Sequence, residues 1–239
     1  EFRRVLFRSL LVTDAGRVAI SSTFFIGQTG SGNQSVVSNG GRVSNGYGSI
    51  GTVASARNNQ FTVTGSGSLW DNNGGLWVGE SGPANTLLVS DGGTAQANLL
   101  TVGLNASSSN NLLHLSDGLL GVTNNLEVRR GTMQIDSGIV TAGSLVATNG
   151  TNSSIVFNGG TLAVQNSTVQ NALSFVVGNG VSAATNQLLG NGTHTFAQGI
   201  VITNNARLTG NGTILGGVTV PSGGTIDRKS TRLNSSHRT

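Results

Sequence analysis

The chain has 239 residues, with 37 glycines, no cysteine and only 9% charged residues. Without cysteine there is neither a disulfide scaffold nor a thiolate metal site, and no window approaches the roughly 18 consecutive apolar residues of a membrane-spanning helix. The formal charge of +4 comes from 13 cations against nine anions.

That positive charge is confined to the two ends. Glu1 to Ser9 reads EFRRVLFRS and Asp227 to His237 reads DRKSTRLNSSH. The first string is a reading of GAGTTCAGACGTGTGCTCTTCCGATCT. The reverse complement of that DNA, read one base in, gives D-R-K-S-T-R-L-N and then a serine codon. One DNA word thus accounts for both ends, and it resembles a ligated sequencing adapter. Residues 1–9 and 227–239 are therefore expected to be non-native and to make no rung, leaving 10–226 as one repeat domain, a fragment of a longer protein. Seven cations and two anions lie in those ends. Leu10 to Ile226 keeps six cations and seven anions, a net charge of −1. No basic face remains for a phosphate backbone, which argues against nucleic acid as a partner.

Along the chain, four blocks follow one another from Leu11, Val36, Thr62 and Leu88, and a fifth starts at His114. Each has an aliphatic burst, a turn with Asp, Asn or Gly, a small-residue stretch, a second burst ending near Gly, and a loop rich in Ser and Asn. Asp14, Asn39, Gly65, Asp91 and Asp117 share one slot, spaced by 25, 26, 26 and 26 residues. Asp136 and Asn158 are read as continuing it at 19 and 22 residues, and the turns at Gly190 and Gly210 lie 20 apart. LLVSDGGT and IVFNGGTLAV alternate at period two rather than 3.6. Short strands recurring at this period predict an all-β fold, a right-handed parallel β-helix (β-solenoid) with one repeat of about 20–26 residues per rung. Val37, Val63 and Val89 are expected to point inward, with Gly, Asn and Asp at the φ > 0 corners. A propeller blade needs roughly 40 residues, so the unit is too short for one.

VVSNGGRV, LLVSDGGT and WVGESGPANTLLV resemble the glycine- and asparagine-rich repeats of bacterial autotransporter passenger regions. Leu208 to Ile226, LTGNGTILGGVTVPSGGTI, is similar to the autotransporter-associated β-strand repeat. The resemblance implies an extracellular or surface-displayed segment, anchored to an outer membrane through a region outside this chain. It implies a structural or adhesive role and a monomeric passenger that does not itself enter the membrane.

Candidate chemistry is sparse. GQTGSG at Gly27 to Gly32 lacks the Lys-Ser/Thr of a phosphate loop, and Lys229 is the only lysine. Asp91 and Asp117, one above the other, are the sharpest catalytic or calcium candidates. Asn39 and Gly65 in the same slot favour turn capping instead. His114 and His194 are far apart and lack a Ser-Asp context, so no triad or zinc site is expected. Arg129 and Arg130 beside Glu127 read as a solvated face. Sequons such as Asn105-Ala106-Ser107 are expected by chance in so polar a chain. Trp70, Trp77 and Tyr47 are read as a sugar-stacking platform or as core filling. The loops Thr29–Gln34, Ala54–Asn59, Ser81–Asn85 and Ala106–Asn110 are expected to recur at one corner. Trp70, Trp77, Ser81 and Asn85 are accordingly the expected binding residues for a glycan or other surface ligand. Neither a catalytic residue, a metal nor a cofactor is expected. The competing reading is a remnant of a β-helix polysaccharide lyase or hydrolase, which needs Asp, Lys and Arg clustered on one face.

Overall fold

The computed structural model describes residues 5–7, 9–227 and 231–234, with side chains described within 9–227. Every paired strand is parallel, and the chain winds a right-handed β-solenoid of about nine turns. Long strands such as Arg42–Ile50, Leu69–Val78 and Thr94–Val102 stack into a 12-stranded sheet. Short strands from Ser9–Val12 to Ser153–Phe157 stack into a seven-stranded sheet. Phe175–Val177, Ile200–Ile202 and Val218–Thr219 form a third sheet of three strands. No single repeat can bury its apolar face alone, and stacking pairs each backbone with the rungs above and below.

The repeat seen in sequence is the register of the fold. Leu11 pairs with Val36, Val36 with Thr62, Thr62 with Leu88 and Leu88 with His114. One residue on, Val12, Val37, Val63, Val89, Leu115, Ile135 and Phe157 form an unbroken buried column. Val36 is half-buried on the outer side, so the period-two phase is as expected. Asp14, Asn39, Gly65, Asp91 and Asp117 all have positive φ, between 47° and 83°. Asp136 and Asn158 do not continue that slot. Both stand in register with Ser116, one residue before it, and the left-handed corner passes to Gly138 and Gly160. The shorter turn places the bend on glycine and turns Asp136 outward.

Each long strand has a register irregularity near its middle, for example between Asn45 and Gly48 and between Asn72 and Gly75. Such an irregularity bends a strand, so the long strand supplies two walls of the coil and the short strand the third. Trp70 is fully buried between Val43 and Ala95 in one inner column, a large residue accommodated by a small neighbour. Its ring meets Phe61 at 4.0 Å and Phe24 at 6.2 Å, and its Nε1 donates to Asn45 Oδ1 at 2.7 Å.

A second internal device is a ladder of asparagines. Asn33, Asn59, Asn85 and Asn111 recur every 26 residues at one corner, each at most 7% exposed. The Oδ1 of each upper member accepts the backbone N–H of the one below, at 2.8–3.0 Å. Gly51 faces the ladder because a Cβ there would lie 2.1 Å from Asn85 Nδ2. Gly27 and Gly79 face Asn59 and Asn111 in the same way, whereas Gly103 at the equivalent position faces Arg130.

Ser35 interrupts the neighbouring inner column between Leu10 and Phe61. Its hydroxyl is buried and has no hydrogen-bond partner among the described residues. Ser35→Ala is expected to raise stability by about 1 kcal/mol, because an unpaired hydroxyl leaves the interior while little volume changes. A urea midpoint lower than that of the parent chain would show that the hydroxyl contributes instead.

The expectation that both ends make no rung does not hold for two short strands. Val5–Phe7 pairs with Phe24–Ile26, and Thr231–Asn234 with Gly212–Leu215. An open parallel edge presents unpaired N–H and C=O groups that any short β-capable segment can meet. The nucleotide complementarity of the ends is a separate property of the sequence. Residues 1–4, 8, 228–230 and 235–239 lie outside the described residues.

Candidate functional site

The bend of the long strands creates a groove that runs along the coil axis. One part of it, about 430 Å³, is lined by outward groups of successive rungs, among them Asp71, Asn73, Gln96, Asn98, Thr123 and Thr141. A neighbouring depression of about 550 Å³ continues it past Ser21, Ser44 and Gly46 and shares Asn73. Among the described lining residues, Asp71 is the one ionisable side chain. The Asn124 amide donates to Asn98 Oδ1 at 2.6 Å, tying adjacent rungs together at the bend. The rest of the lining is amide and hydroxyl, chemistry that both donates and accepts hydrogen bonds.

An aromatic pair flanks this groove. Tyr47 follows Gly46, and its ring stacks on that of Trp77 with centroids 5.9 Å apart and planes 3° from parallel. Gly74 and Gly75, next to the groove residue Asn73, make room for the two rings. A Cβ on Gly74 would come within 2.8 Å of Tyr47 Cε1, and one on Gly75 within 3.2 Å of Trp77 Cζ2. Leu99, in register with Gly75, adds an exposed aliphatic group beside them. Tyr47 is 50% exposed and Trp77 half-buried, so part of this patch faces solvent.

The four expected binding residues are not brought together. Trp70 and Asn85 are both 0% exposed and hold the interior, one in the aromatic core and one in the asparagine ladder. Contrary to the expected binding role, both are structural residues of the interior. The reason is their phase: Trp70 falls on an inward position of its strand, and the polar Asn85 is buried because neighbouring rungs satisfy its amide. Trp77 lies on the outer wall, and Tyr47 is its partner there. Ser81 sits at the loop corner, where its hydroxyl accepts from Asn105 Nδ2 at 2.9 Å and its carbonyl from Ser107 at 2.7 Å. The loops do stack at one corner, as Ser31 Oγ donating to the Ser55 carbonyl at 2.8 Å also shows. The groove itself was missed in sequence. Its signal, polar residues at outward positions of WDNNGG, TAQANLL and GVTNNLE, is visible only once the bend is known.

Neither histidine is isolated in space. His114 Nε2 lies 2.7 Å from Asp136 Oδ2 on the outer face of the short-strand sheet. Burial pushes the Asp136 carboxyl up, but hydrogen bonds with Asn158, His114 and Gln134 outweigh this and hold it below the ordinary value. His194 is buried, and Ser167 Oγ lies 3.0 Å from its Nδ1. That pair resembles a base and a nucleophile only in distance. It is enclosed, Nε2 has no partner among the described residues, and the pair stands in a column that otherwise carries Leu145 and Ile214. Asp91 accepts from Thr64 Oγ1 at 2.9 Å, and its backbone N–H donates to the Ser116 carbonyl, the contacts of a corner residue. Arg129 pairs with Glu127 at 2.6 Å on the surface.

Burial lowers the His194 pKa to about 4. The unfolded chain takes up this proton near 6.5, whereas the folded chain resists until about 4. The neutral ring's contribution is thus complete above pH 6.5 and is lost as pH falls from about 6.5 to about 4, a loss of up to about 3 kcal/mol. Urea midpoints measured from pH 7.5 to 4.5 should fall more steeply for the parent chain than for His194→Gln. Parallel slopes would refute the assignment.

No family model matches the chain, and no curated protein or solved structure gives a significant match. Fold and groove define the class: a parallel β-solenoid with an axial polar groove and one stacked aromatic pair on its wall.

Proposed function

We propose that this chain is a non-catalytic structural or adhesive segment of a surface-displayed or secreted bacterial protein, of the autotransporter passenger type. The observation that carries the reading is the uniformity of the coil. Rung after rung repeats the same aliphatic columns and corner turns, with about 4.8 Å added per turn. Such a rod extends, and it presents similar loops and groove groups on several successive rungs, which suits many weak contacts to an extended partner. Catalysis needs unlike groups held together at one place. Asp71 stands in the groove with no second carboxylate among the described lining residues, whereas glycoside hydrolysis uses a pair. This weighs against the lyase or hydrolase reading. The segment acts as a monomer, and the membrane anchor belongs to another part of the protein.

The test is labelling of intact source cells with antibodies raised against the coil. Labelling without permeabilisation is expected. Labelling that needs permeabilised cells would overturn surface display.

A further inference from the structure

From the groove and its aromatic wall we infer a binding site for a neutral, unbranched polysaccharide lying along the coil axis. This deepens the reading of a non-catalytic adhesive rod and rests on it. Three features select this ligand. The Tyr47–Trp77 stack, seated on Gly74 and Gly75, offers a flat apolar surface of the kind that packs against the C–H face of a pyranose ring. The groove beside it supplies Asn73, Gln96, Asn98 and Thr123 from successive rungs, groups that donate to and accept from sugar hydroxyls. The rung step of about 4.8 Å is comparable to the advance per residue of an extended pyranose chain, so each sugar meets a similar set of groups. Charge excludes the alternative polymers. Among the described lining residues the one ionisable group is the acid Asp71, which repels polyanions and stands alone against polycations. A flexible peptide would find no unpaired strand edge here, since the groove lies on the faces of strands paired on both sides.

The experiment uses the whole chain and two soluble probes, an unbranched neutral β-glucan and polygalacturonate. Retention is measured by affinity electrophoresis, tryptophan emission is followed during titration, and new reducing ends are assayed in the same samples. Retention on the neutral glucan with a change in emission is expected, because Trp77 is the tryptophan within reach of solvent. Tyr47→Ala and Trp77→Ala should each weaken retention about tenfold, while Tyr47→Phe keeps it. Tyr47 is half exposed, so its alanine variant should retain the parent melting midpoint and isolate binding from folding. Gln96→Ala should weaken retention by a smaller factor, about threefold. Unchanged retention in Tyr47→Ala, or stronger retention on polygalacturonate, would overturn the site. No retention with no cleavage would overturn the site and leave the rod reading standing. New reducing ends on either probe would overturn the non-catalytic reading itself.

Discussion

Val63→Asp should abolish or nearly abolish the cooperative unfolding transition of the coil, at a cost of about 4 kcal/mol or more. Val63 is 0% exposed and stands in the inner column between Val37 and Val89. A carboxylate there has no cation or donor within an aliphatic stack, so it must either ionise without solvent or hold its proton at neutral pH. The damage would spread in both directions, because each rung is stabilised chiefly by its neighbours. Val36→Asp is the matched control. Val36 faces outward and is half-buried, so its substitution should cost less than about 1 kcal/mol. Urea unfolding followed by circular dichroism reads both. Equal tolerance at the two positions would contradict the inward assignment of the whole column.

Asn85→Ala should be nearly as damaging, at about 4 kcal/mol, although it removes only a polar side chain. The Asn85 Oδ1 accepts both the backbone N–H and the Nδ2 of Asn59, at 3.0 and 2.9 Å. Its Nδ2 donates to the carbonyls of Ala56, Gly82 and Pro83 within 3.1 Å. All of these groups would be left unsatisfied at a corner closed to solvent. Asn105→Ala, which removes one exposed contact to Ser81, should stay within about 0.5 kcal/mol of the parent. Hydrogen exchange adds a second readout: the Asn59 amide should lose protection in Asn85→Ala before amides of the distant third sheet do. A variant that weakened glycan retention while leaving the unfolding midpoint unchanged would return Asn85 to a binding face and remove the ladder from the account of stability.

The architecture was legible in the sequence because solenoid folding is local in a particular sense. Each residue's neighbours above and below are residues one period away, so self-similarity at 25 or 26 residues is itself the pairing register. Alternation at period two then settles which valines point inward, as the column through Val37, Val63 and Val89 shows. Corner residues were legible for the same reason: Asp, Asn and Gly share a tolerance for positive φ that few other residues have.

Only the tertiary structure decided which polar and aromatic residues face solvent. Trp70 and Trp77 stand seven residues apart in one strand, an odd number of steps that puts them on opposite faces, and the fold decides which face is which: Trp70 lies inward with Asn72, Leu76 and Val78, and Trp77 outward. Asn85 looks like a surface loop residue until the rungs on either side supply its partners. His114 meets Asp136 across 22 residues and His194 meets Ser167 across 27, contacts that exist only when turns of unequal length are stacked. By itself the sequence determined a repeated strand, its period and its inward phase, since these depend on spacing alone. The groove, the Tyr47–Trp77 stack and the asparagine ladder were decided by the fold, since each depends on where strands bend and on which side chains successive turns bring into contact.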